Sequence, residues 1–510
     1  MESRLPANAL VAGDSQIVVR NILMLLLRQG MVWVLSGVLI LFLPRYLGAE
    51  GLGQLQFARS FAAILAVMAT LGAHQFLVKE VARDHSQASH YIGTAIGMRL
   101  LASLLVIAAV SAVAQLSGFS VTAATVMYLA AATMVITSLA RLLAGFLHGF
   151  EDMGGVALAD VAGKLTVVVV GTIVLVSMQN VMAYAGVLLM GAVVHLAVAA
   201  LFLRSRILLR LDFYMPRART LLKGGVPFLL MAFILEIYNH ADVVILRMFT
   251  NETTTGWYAA ALQFYRAAEL FPLAITTALM PTLSRLHLTD VSMLASIAHK
   301  SIAVGALVVL PMSLGLSLLS ERLIAFLPYP DTFQNSVPLL TLLALTIPAT
   351  ALLTILGTIA IAVDRHKVWA YALLLTLTVD IVLNVLTVPY FDRVAGNGGI
   401  GAALTTLLAE LVMVAVGVWL MPKGVITWET ARLIIKIILG SSVIVAAWLL
   451  AIWLNLPVLL LVALGGVGYL AVIFTTRAVT FSDLIFVRRA VSGRLKASSP
   501  RNPVEQGEPL

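Results

Sequence analysis

The feature that most constrains this chain is a series of long apolar stretches, separated by short polar gaps, that extends from residue 22 to residue 475. Of the 510 residues, 61% are hydrophobic and only 11% are charged, whereas soluble domains carry about 25% charged residues. A helix that crosses a bilayer needs about 20 apolar residues. The sequence therefore excludes a soluble fold and predicts an all-α integral membrane protein of about 14 transmembrane helices.

The predicted helices form two sets of six and a final pair. The first set covers residues 22–43, 55–78, 92–115, 121–147, 156–178 and 182–203, and the second covers 224–249, 256–283, 298–319, 335–363, 368–390 and 400–421. The final pair covers 433–453 and 457–475. These sets predict an N-lobe (22–203), a C-lobe (224–421) and two C-terminal helices (433–475), with an N-terminal segment (1–21), a basic linker (204–223) and a disordered tail (480–510).

The distribution of basic residues predicts the orientation in the membrane. The net charge is +9, and most lysines and arginines of the gaps fall on one side of the predicted topology. The other side has only Arg45, Arg322 and Arg393. The positive-inside rule therefore places both termini in the cytoplasm, and it explains the basic charge without nucleic acid. Because the chain has no cysteine, disulfides and thiolate metal sites are excluded.

A short internal repeat supports the division into two lobes. The second predicted helix begins with QFARSF at Gln56–Phe61, and the eighth begins with QFYRAA at Gln263–Ala268. A repeat after six helices preserves the orientation of the chain. The two lobes are therefore expected to be related by a pseudo-two-fold axis along the membrane normal.

Three stretches resemble the multidrug, oligosaccharidyl-lipid and polysaccharide flippase superfamily, and within it the polysaccharide transporter branch of Wzx-type flippases. They are PRYLGAEGLGQLQFARSF at 44–61, the stretch at 238–286 that begins YNHADVVILRMF, and DIVLNVLTVPYFDRVAGNGGIGAALTTLLAE at 380–410. The resemblance covers roughly residues 20 to 425. It implies two six-helix lobes around a central cavity, alternating access, and transfer of oligosaccharide on polyprenyl diphosphate from the inner to the outer leaflet.

Ionisable residues inside the predicted spans mark the candidate binding site, because a charge in the bilayer costs roughly 2.5–3.5 kcal/mol on insertion scales. A diphosphate group needs cationic partners, and guanidinium groups bind it through bidentate hydrogen bonds. The predicted substrate-binding residues are Arg28, Arg59, Arg99, Arg141, Lys164 and Arg266. The alternative for each is a side chain that extends to the membrane surface, and Asp160 is placed to neutralise Lys164 one helical turn away.

Intramembrane acids are concentrated in the second half. The predicted ion-coupling residues are Glu236, Asp242, Asp380 and Glu410. A carboxylate in a membrane cavity exchanges a proton or holds a sodium ion as access alternates, so coupling to H⁺ or Na⁺ is expected in place of a bound cofactor or metal. The alternative is that these acids only form ion pairs with neighbouring cations such as Arg266.

The expected protein is a transporter and not an enzyme, because every gap between the apolar stretches is short, whereas a glycan polymerase or glycosyltransferase usually has a sizeable outer loop or a soluble catalytic domain. Direct ATP drive and zinc chemistry have no support in the sequence motifs. The expected location of the protein is a bacterial cytoplasmic membrane, where it contacts lipid and a polyprenyl-diphosphate-linked glycan. A polysaccharide polymerase and glycosyltransferases are the expected protein partners. Three alternatives stay open: a cation-coupled multidrug and toxin exporter, a peptidoglycan lipid-precursor flippase and, from another class, a membrane-embedded glycan polymerase.

Overall fold

The computed structural model describes residues 7–207, 212–289, 291–422, 425–454 and 458–476, and this part of the chain is helical without β-strands. The first eight helices are α1 (Ala7–Thr70), α2 (Ala73–Arg83), α3 (Gln87–Leu116), α4 (Val121–Gly149), α5 (Met153–Met178), α6 (Val181–Arg204), α7 (Met215–Phe249) and α8 (Glu252–Ala268). The others are α9 (Leu270–Thr289), α10 (Val291–Leu318), α11 (Ser320–Phe326), a 3₁₀-helix (Asp331–Ser336), α12 (Val337–Ala362), α13 (His366–Ala395), α14 (Gly398–Leu420), α15 (Trp428–Trp453) and α16 (Val458–Thr475). The predicted all-α fold is confirmed.

The helices have the length and surface of membrane-spanning elements. Among the described residues, 11 helices are long and apolar enough to cross a bilayer, and Ala463–Thr475 is a shorter apolar helix. Large apolar side chains lie on the protein surface, as Leu105 and Trp419 do with 74% and 82% of their areas exposed. Helices that satisfy their own backbone hydrogen bonds and present such side chains are suited to lipid contact. The chain is therefore a multi-pass membrane protein, while the total of about 14 spans stays a prediction.

The first two predicted helices lie in α1, where the helix is broken at Gly48 with a φ of 65°. This break falls within the predicted gap between residues 43 and 55. A left-handed backbone at this position suits glycine, because glycine has no Cβ to clash. The second predicted helix, 55–78, is also interrupted, since α1 ends at Thr70 and α2 begins at Ala73, with Leu71 and Gly72 left-handed between them. Sequence hydropathy does not detect such a break, because both sides of it are apolar.

The basic linker is partly helical. Helix α7 begins at Met215, within the predicted linker, with Pro216 in its first turn, a position where the missing N–H of proline has no cost. Residues 208–211 of the linker and the predicted tail, 480–510, lie outside the described residues. Elsewhere, side chains at helix starts accept backbone N–H groups, as Asp152 does from Gly155 at 2.9 Å and Asn180 from Met182 at 2.8 Å.

The chain divides into two compact units. The first contains the described residues up to Arg266 together with Leu319–Leu343 and Leu373–Ala409. One core of this unit contains buried side chains from every helix from α2 to α7, and Leu77, Phe146 and Leu203 are fully buried in it. The boundaries of the predicted lobes at 203 and 224 stay a prediction.

The second unit contains Ala267–Leu318, Ala344–Ala372 and the described residues from Glu410 onwards. Here α15 and α16 pack on α10. Tyr469 is 4% exposed, packs with Ile437 and Ile473, and donates its hydroxyl to the carbonyl of Leu307 at 2.7 Å. The last two helices are thus fixed to this unit by apolar contact and one buried hydrogen bond.

Within the first unit, α1 and α8 cross with their backbones in contact. A Cβ atom on Gly53 would overlap the carbonyl oxygen of Glu252, and one on Gly256 would overlap the carbonyl oxygen of Ala49. Ala49 and Gly256 each stand seven residues before the glutamine of their repeat. The crossing therefore joins equivalent positions of the two repeats, and only residues without a side chain permit this approach.

A second backbone contact lies at the other end of this part of α1. A Cβ atom on Gly72 would overlap the carbonyl oxygen of Gly225 and lie 2.6 Å from the backbone nitrogen of Leu229, both in the first half of α7. The chain from Gly53 in α1 to Gly72, just after α1, is thus held at each end by a close contact with α8 or α7. Residues in this stretch line the cavity described below.

We expect Gly53→Ala and Gly256→Ala each to lower the free energy of unfolding by about 1–3 kcal/mol, because the added methyl group overlaps a backbone carbonyl. The matched control is Gly186→Ala on α6, where a Cβ meets no atom within 4 Å. That change is expected to stabilise the helix by up to about 1 kcal/mol. Thermal unfolding in detergent measures the difference, and equal midpoints for all three variants would contradict the backbone contact.

Candidate functional site

The first unit contains a cavity with two compartments. Compartment A has a volume of about 350 Å³, and its walls come from α1, α4, α7 and α8. Compartment B has a volume of about 430 Å³, and its walls come from α1, α4, α5 and α6. Arg59, Met134, Thr137 and Arg141 line both compartments. Because these four side chains line both compartments, A and B adjoin along a common wall.

Three of the predicted cationic residues face this cavity without a partner. Arg59 lies deep within the fold, yet its side chain is solvent-accessible, so it faces open space and not packed protein. Arg141 is exposed to the cavity and Lys164, which lines compartment B, is half-buried. Within the described part of the chain, none of the three forms an ion pair or a hydrogen bond. Uncompensated charges inside an apolar fold are costly, so this cavity favours an anion.

The cations are also close enough to act together. The charges of Arg266 and Lys164 each repel that of Arg59. Arg266 lines compartment A and donates to the backbone carbonyl of Asn239 at 2.9 Å. An anion that binds at the common wall would therefore be attracted by several cations and would relieve their mutual repulsion.

The other two predicted substrate-binding residues stand apart. Arg99 is 3% exposed and lines neither compartment. Its guanidinium donates to the carbonyl oxygens of Ser138 and Thr70, the second at 3.3 Å. Because Thr70 is the last residue of α1, Arg99 places its charge at the C-terminal end of a helix dipole. The side chain of Arg28 lies outside the described residues.

Asp160 has a partner that sequence spacing did not indicate. Its Oδ1 lies 3.3 Å from Nε2 of His195 on α6, and both residues line compartment B with Lys164. The predicted neighbour of Asp160, Lys164, forms no ion pair within the described residues. Only a polar side chain in the apolar helix α6 could have marked His195 as a site residue, because its pairing with Asp160 depends on the packing of α5 on α6.

A chain of polar contacts runs along the wall of compartment A. Glu236 Oε1 lies 3.5 Å from Nε2 of His240, one turn along α7. His240 Nδ1 lies 3.0 Å from the hydroxyl of Ser60 on α1, and that hydroxyl is 3.4 Å from the amide of Gln56. Gln263, the repeat equivalent of Gln56, lines the same compartment. Apart from Glu236, sequence reasoning assigned none of these residues to a site.

The second feature of the first unit is a buried acidic cluster formed by α7, α8, α13 and α14. Asp242 accepts hydrogen bonds from Tyr258 at 3.1 Å, Asn384 at 2.9 Å and Thr406 at 2.9 Å. It is also hydrogen-bonded to the carboxyl group of Asp380, which is 4% exposed. Two carboxylates repel one another at such contact, so they need a shared proton or a cation between them.

One acceptor in this cluster is unused. The Asn384 side chain is completely buried and its Nδ2 donates to Asp242 and to the carbonyl of Asp380, but no donor within the described residues reaches its Oδ1. A buried carbonyl oxygen next to two carboxyl groups belongs to the set of oxygen ligands that hard cations prefer. The described residues contain no group of three histidine, aspartate or glutamate side chains able to hold a metal ion.

Glu410 belongs to the second unit. It is 2% exposed and accepts a hydrogen bond from the hydroxyl of Thr350 on α12. The structure thus brings Asp242 and Asp380 together and places Glu236 on the cavity wall. Glu410 lies in the second unit, where it contacts Thr350. The assignment of Glu410 to ion coupling stays a prediction.

The fold is similar to known transporter structures. It superimposes on the lipid II flippase MurJ in an inward closed conformation with a TM-score of 0.72 and 15% identity, over 92% of this chain and 100% of that chain. An inward-facing multidrug resistance MATE family transporter of the MOP superfamily gives a TM-score of 0.61 and 16% identity, over 77% and 97%. At this identity the similarity shows the fold alone.

Curated relatives come from Haloferax volcanii. The "Probable low-salt glycan biosynthesis flippase Agl15" is 24% identical over 374 residues, which are 73% of this chain and 77% of the relative. The "Probable flippase AglR" is 27% identical over 192 residues, which are 37% of this chain and 39% of that relative. These names agree with the family resemblance found in the sequence.

The sequence matches the family model described as "Polysaccharide biosynthesis protein" over residues 18–287. The match includes the whole of α1 from residue 18, both repeat motifs and every described residue of compartments A and B. Because it covers more than half of the chain, the protein belongs to the polysaccharide biosynthesis protein family.

Proposed function

We propose that this protein is a flippase that moves oligosaccharide linked to polyprenyl diphosphate from the inner to the outer leaflet by alternating access. The observation that carries the proposal is the set of three unpaired cations, Arg59, Arg141 and Lys164, on one cavity inside an apolar helical fold. The headgroup of such a lipid is polar and anionic, while its hydrocarbon tail is suited to the bilayer. A cationic cavity lowers the cost of moving the headgroup through a medium of low dielectric constant.

The charge of the cavity suits a diphosphate. Its described walls carry the cations Arg59, Arg141, Lys164 and Arg266 and the carboxylates Asp160 and Glu236. With both histidines neutral, two positive charges remain. A diphosphate esterified at both ends carries one negative charge on each phosphate, so it neutralises the cavity.

The alternatives differ in what they require of the cavity. An exporter of cationic drugs needs a wall without excess positive charge, so the net charge here disfavours it. A peptidoglycan-precursor flippase would use the same cations, and the MurJ fold is compatible with it, but the family match supports the polysaccharide branch. We propose a transporter and not a glycan polymerase or another enzyme, because the cavity offers sites for binding an anion, and the named relatives are flippases.

We expect Arg59→Gln, Arg141→Gln and Lys164→Gln each to weaken binding of polyprenyl diphosphate by about tenfold to a hundredfold, because each removes one charge-assisted hydrogen bond. Binding of the lipid to the purified full-length protein in detergent is the measurement. The matched control is Arg83→Gln, an exposed arginine 3.5 Å from Glu80. Unchanged affinity in all three cavity variants would contradict the proposal.

Arg99 provides a contrast within the same experiment. Because its guanidinium is bonded to two backbone carbonyls, Arg99→Gln should lower the thermal stability through unsatisfied buried acceptors, at about 1–3 kcal/mol for each. The folded fraction should bind the lipid with nearly unchanged affinity. A loss of affinity without a loss of stability would show that Arg99 belongs to the binding site.

We further propose that ion binding at Asp242 and Asp380 drives transport. The support is the contact between the two carboxyl groups and the unused carbonyl oxygen of Asn384. Asp242, Asp380, Asn384 and the hydroxyl of Thr406 would supply oxygen ligands to Na⁺, while a proton would be shared by the two carboxyl groups alone. The unused amide oxygen of Asn384 would bind Na⁺ but has no role in sharing a proton. Na⁺ therefore suits this cluster better than a proton does.

We expect Asp242→Asn to abolish ion-driven flipping in proteoliposomes, because one carboxylate then remains and holds the cation too weakly. Wild-type protein should respond to an imposed Na⁺ gradient more strongly than to a pH gradient. The control is Thr387→Val, which removes a hydroxyl between α13 and α14 that bonds to Thr405 at 2.8 Å outside the cluster. Full gradient dependence in Asp242→Asn would exclude coupling at this cluster.

We also propose that both termini lie in the cytoplasm, with glycosyltransferases supplying the lipid-linked substrate and a polysaccharide polymerase consuming it on the other side. The location in a bacterial cytoplasmic membrane stays a prediction, since the curated relatives are archaeal. The support for the orientation is the excess of lysine and arginine on one side of the helices.

Because the chain has no cysteine, a single introduced cysteine reports the orientation. Arg393→Cys should react with a membrane-impermeant maleimide added to intact cells, since the topology places Arg393 outside. Arg83→Cys should react only after permeabilisation. Both arginines are exposed, so equal accessibility to reagent is expected in detergent, and a reversed pattern in cells would contradict the orientation.

A further inference from the structure

One face at the start of α7 is both basic and apolar, and it lies outside the cavity. We propose that this face binds an anionic phospholipid, with the headgroup on Arg219 and Lys223 and an acyl chain along the apolar side chains that follow. No side chain of this face lines compartment A or B, so the phospholipid would be a second lipid and not the transported one. The proposal does not depend on which substrate the protein carries.

The exposed side chains form one continuous stripe along α7. Arg219 and Lys223 are separated by one turn, and Leu222, Val226 and Leu230 continue the same face at helical spacing. All five side chains are exposed. The stripe thus changes from cationic to apolar along a single helix, which is the order of groups in a phospholipid.

The stripe crosses the edge of the bilayer at the level of its charges. The part of α7 suited to span the membrane is Phe228–Phe249. Lys223 precedes this span by about 7.5 Å, at 1.5 Å per residue, and Arg219 lies one turn further out. The headgroup layer on each side of the hydrocarbon core is about 5–8 Å thick. Lys223 therefore lies at the depth of the lipid phosphates, and the long side chain of Arg219 can extend to the same layer.

The two cations of the stripe are uncommitted. Within the part of the chain that the structure describes, neither Arg219 nor Lys223 forms an ion pair or a hydrogen bond. Arg206, at the other end of the linker, is by contrast paired with Asp152 at 3.1 Å. Like charges one turn apart on a helix repel one another. A phosphodiester bound to both would relieve this repulsion, and each cation at a charged membrane surface contributes about fivefold in affinity.

The chain that leads into the stripe is fixed on α3. The buried hydroxyl of Thr94 donates to the carbonyl of Asp212 at 3.2 Å and accepts the N–H of Tyr214, also at 3.2 Å. The ring of Phe213 packs on Gly97 so closely that a Cβ atom there would lie 2.8 Å from it. Phe213 and Tyr214 nevertheless remain about half exposed, as is typical of aromatic residues at the membrane–water interface. The start of α7 is therefore preformed for contact with lipid.

The test measures how two probes bind to the purified full-length protein in detergent: phosphatidylglycerol, which is anionic, and phosphatidylcholine with the same acyl chains. Native mass spectrometry gives both affinities. Wild-type protein should bind phosphatidylglycerol about tenfold more tightly than phosphatidylcholine. The double variant Arg219→Gln/Lys223→Gln should weaken phosphatidylglycerol by about tenfold to thirtyfold, because two charges are lost, and leave phosphatidylcholine unchanged.

Two further variants separate a site from a general effect of charge. Arg365→Gln/Lys367→Gln removes two exposed cations from another gap on the same side of the predicted topology, and it should leave both affinities unchanged. Arg219→Lys keeps the charge and should bind phosphatidylglycerol within about threefold of wild type. Thermal unfolding of each variant identifies any loss that comes from misfolding.

Three results would overturn the proposal. Equal affinities of the wild-type protein for both probes would show that this face does not recognise charge. An equal loss in the Arg365→Gln/Lys367→Gln variant would show a diffuse effect of surface charge and no site on α7. A loss in Arg59→Gln without a loss in the α7 variant would place the phospholipid in the cavity. Binding of polyprenyl diphosphate to the same variants tests the proposed function separately, so either proposal can fail without the other.

Discussion

The binding cavity of this protein depends on the cost of placing uncompensated cations inside an apolar fold. A guanidinium group in a membrane protein needs a carboxylate, a backbone carbonyl or water. Arg99 has carbonyl partners, whereas Arg59 and Arg141 face a cavity without a protein partner within the described residues. An anion that binds in the cavity would relieve the repulsion between these charges and replace water as their partner. Because a charge that faces lipid has the same cost, the cavity lies among helices and not at the lipid surface.

The cavity owes its shape to residues without side chains. Gly53 and Gly256 let α1 and α8 meet at one end, and Gly72, which follows α1, lets the chain meet α7 at the other. Between these contacts, α1 carries Gln56 and Arg59 on the cavity wall. Larger residues at the glycine positions would separate the helices and widen the space, so the close contacts help to fix the distances between the amide and guanidinium groups. Packing and binding chemistry are therefore linked through the same segment.

The sequence predicted the helical fold and the positions of most helices, because long apolar stretches and the positive charge between them depend only on local composition. The family followed from the resemblance of three stretches of the chain. The sequence also named Arg59, Arg141 and Lys164. It could not distinguish these from Arg99, since all are single cations in apolar stretches, and the difference lies in whether a carbonyl from another helix is within reach. The sequence could not predict the pairs Asp160–His195 and His240–Ser60 either, because each pair joins two different helices. The break at Leu71 and Gly72 was also missed, because apolar residues continue on both sides of it.

Helix α7 connects the two chemical features of the first unit. It carries Glu236 and His240 on the cavity wall and Asp242 in the acidic cluster. Successive residues of a helix are turned by about 100°, so His240 and Asp242 point to nearly opposite sides of α7. An ion that stabilises one position of Asp242 would therefore also fix the position of the cavity wall. By linkage, a substrate that prefers that wall position would strengthen ion binding by the same factor, which gives the proposed coupling a route through one rigid helix.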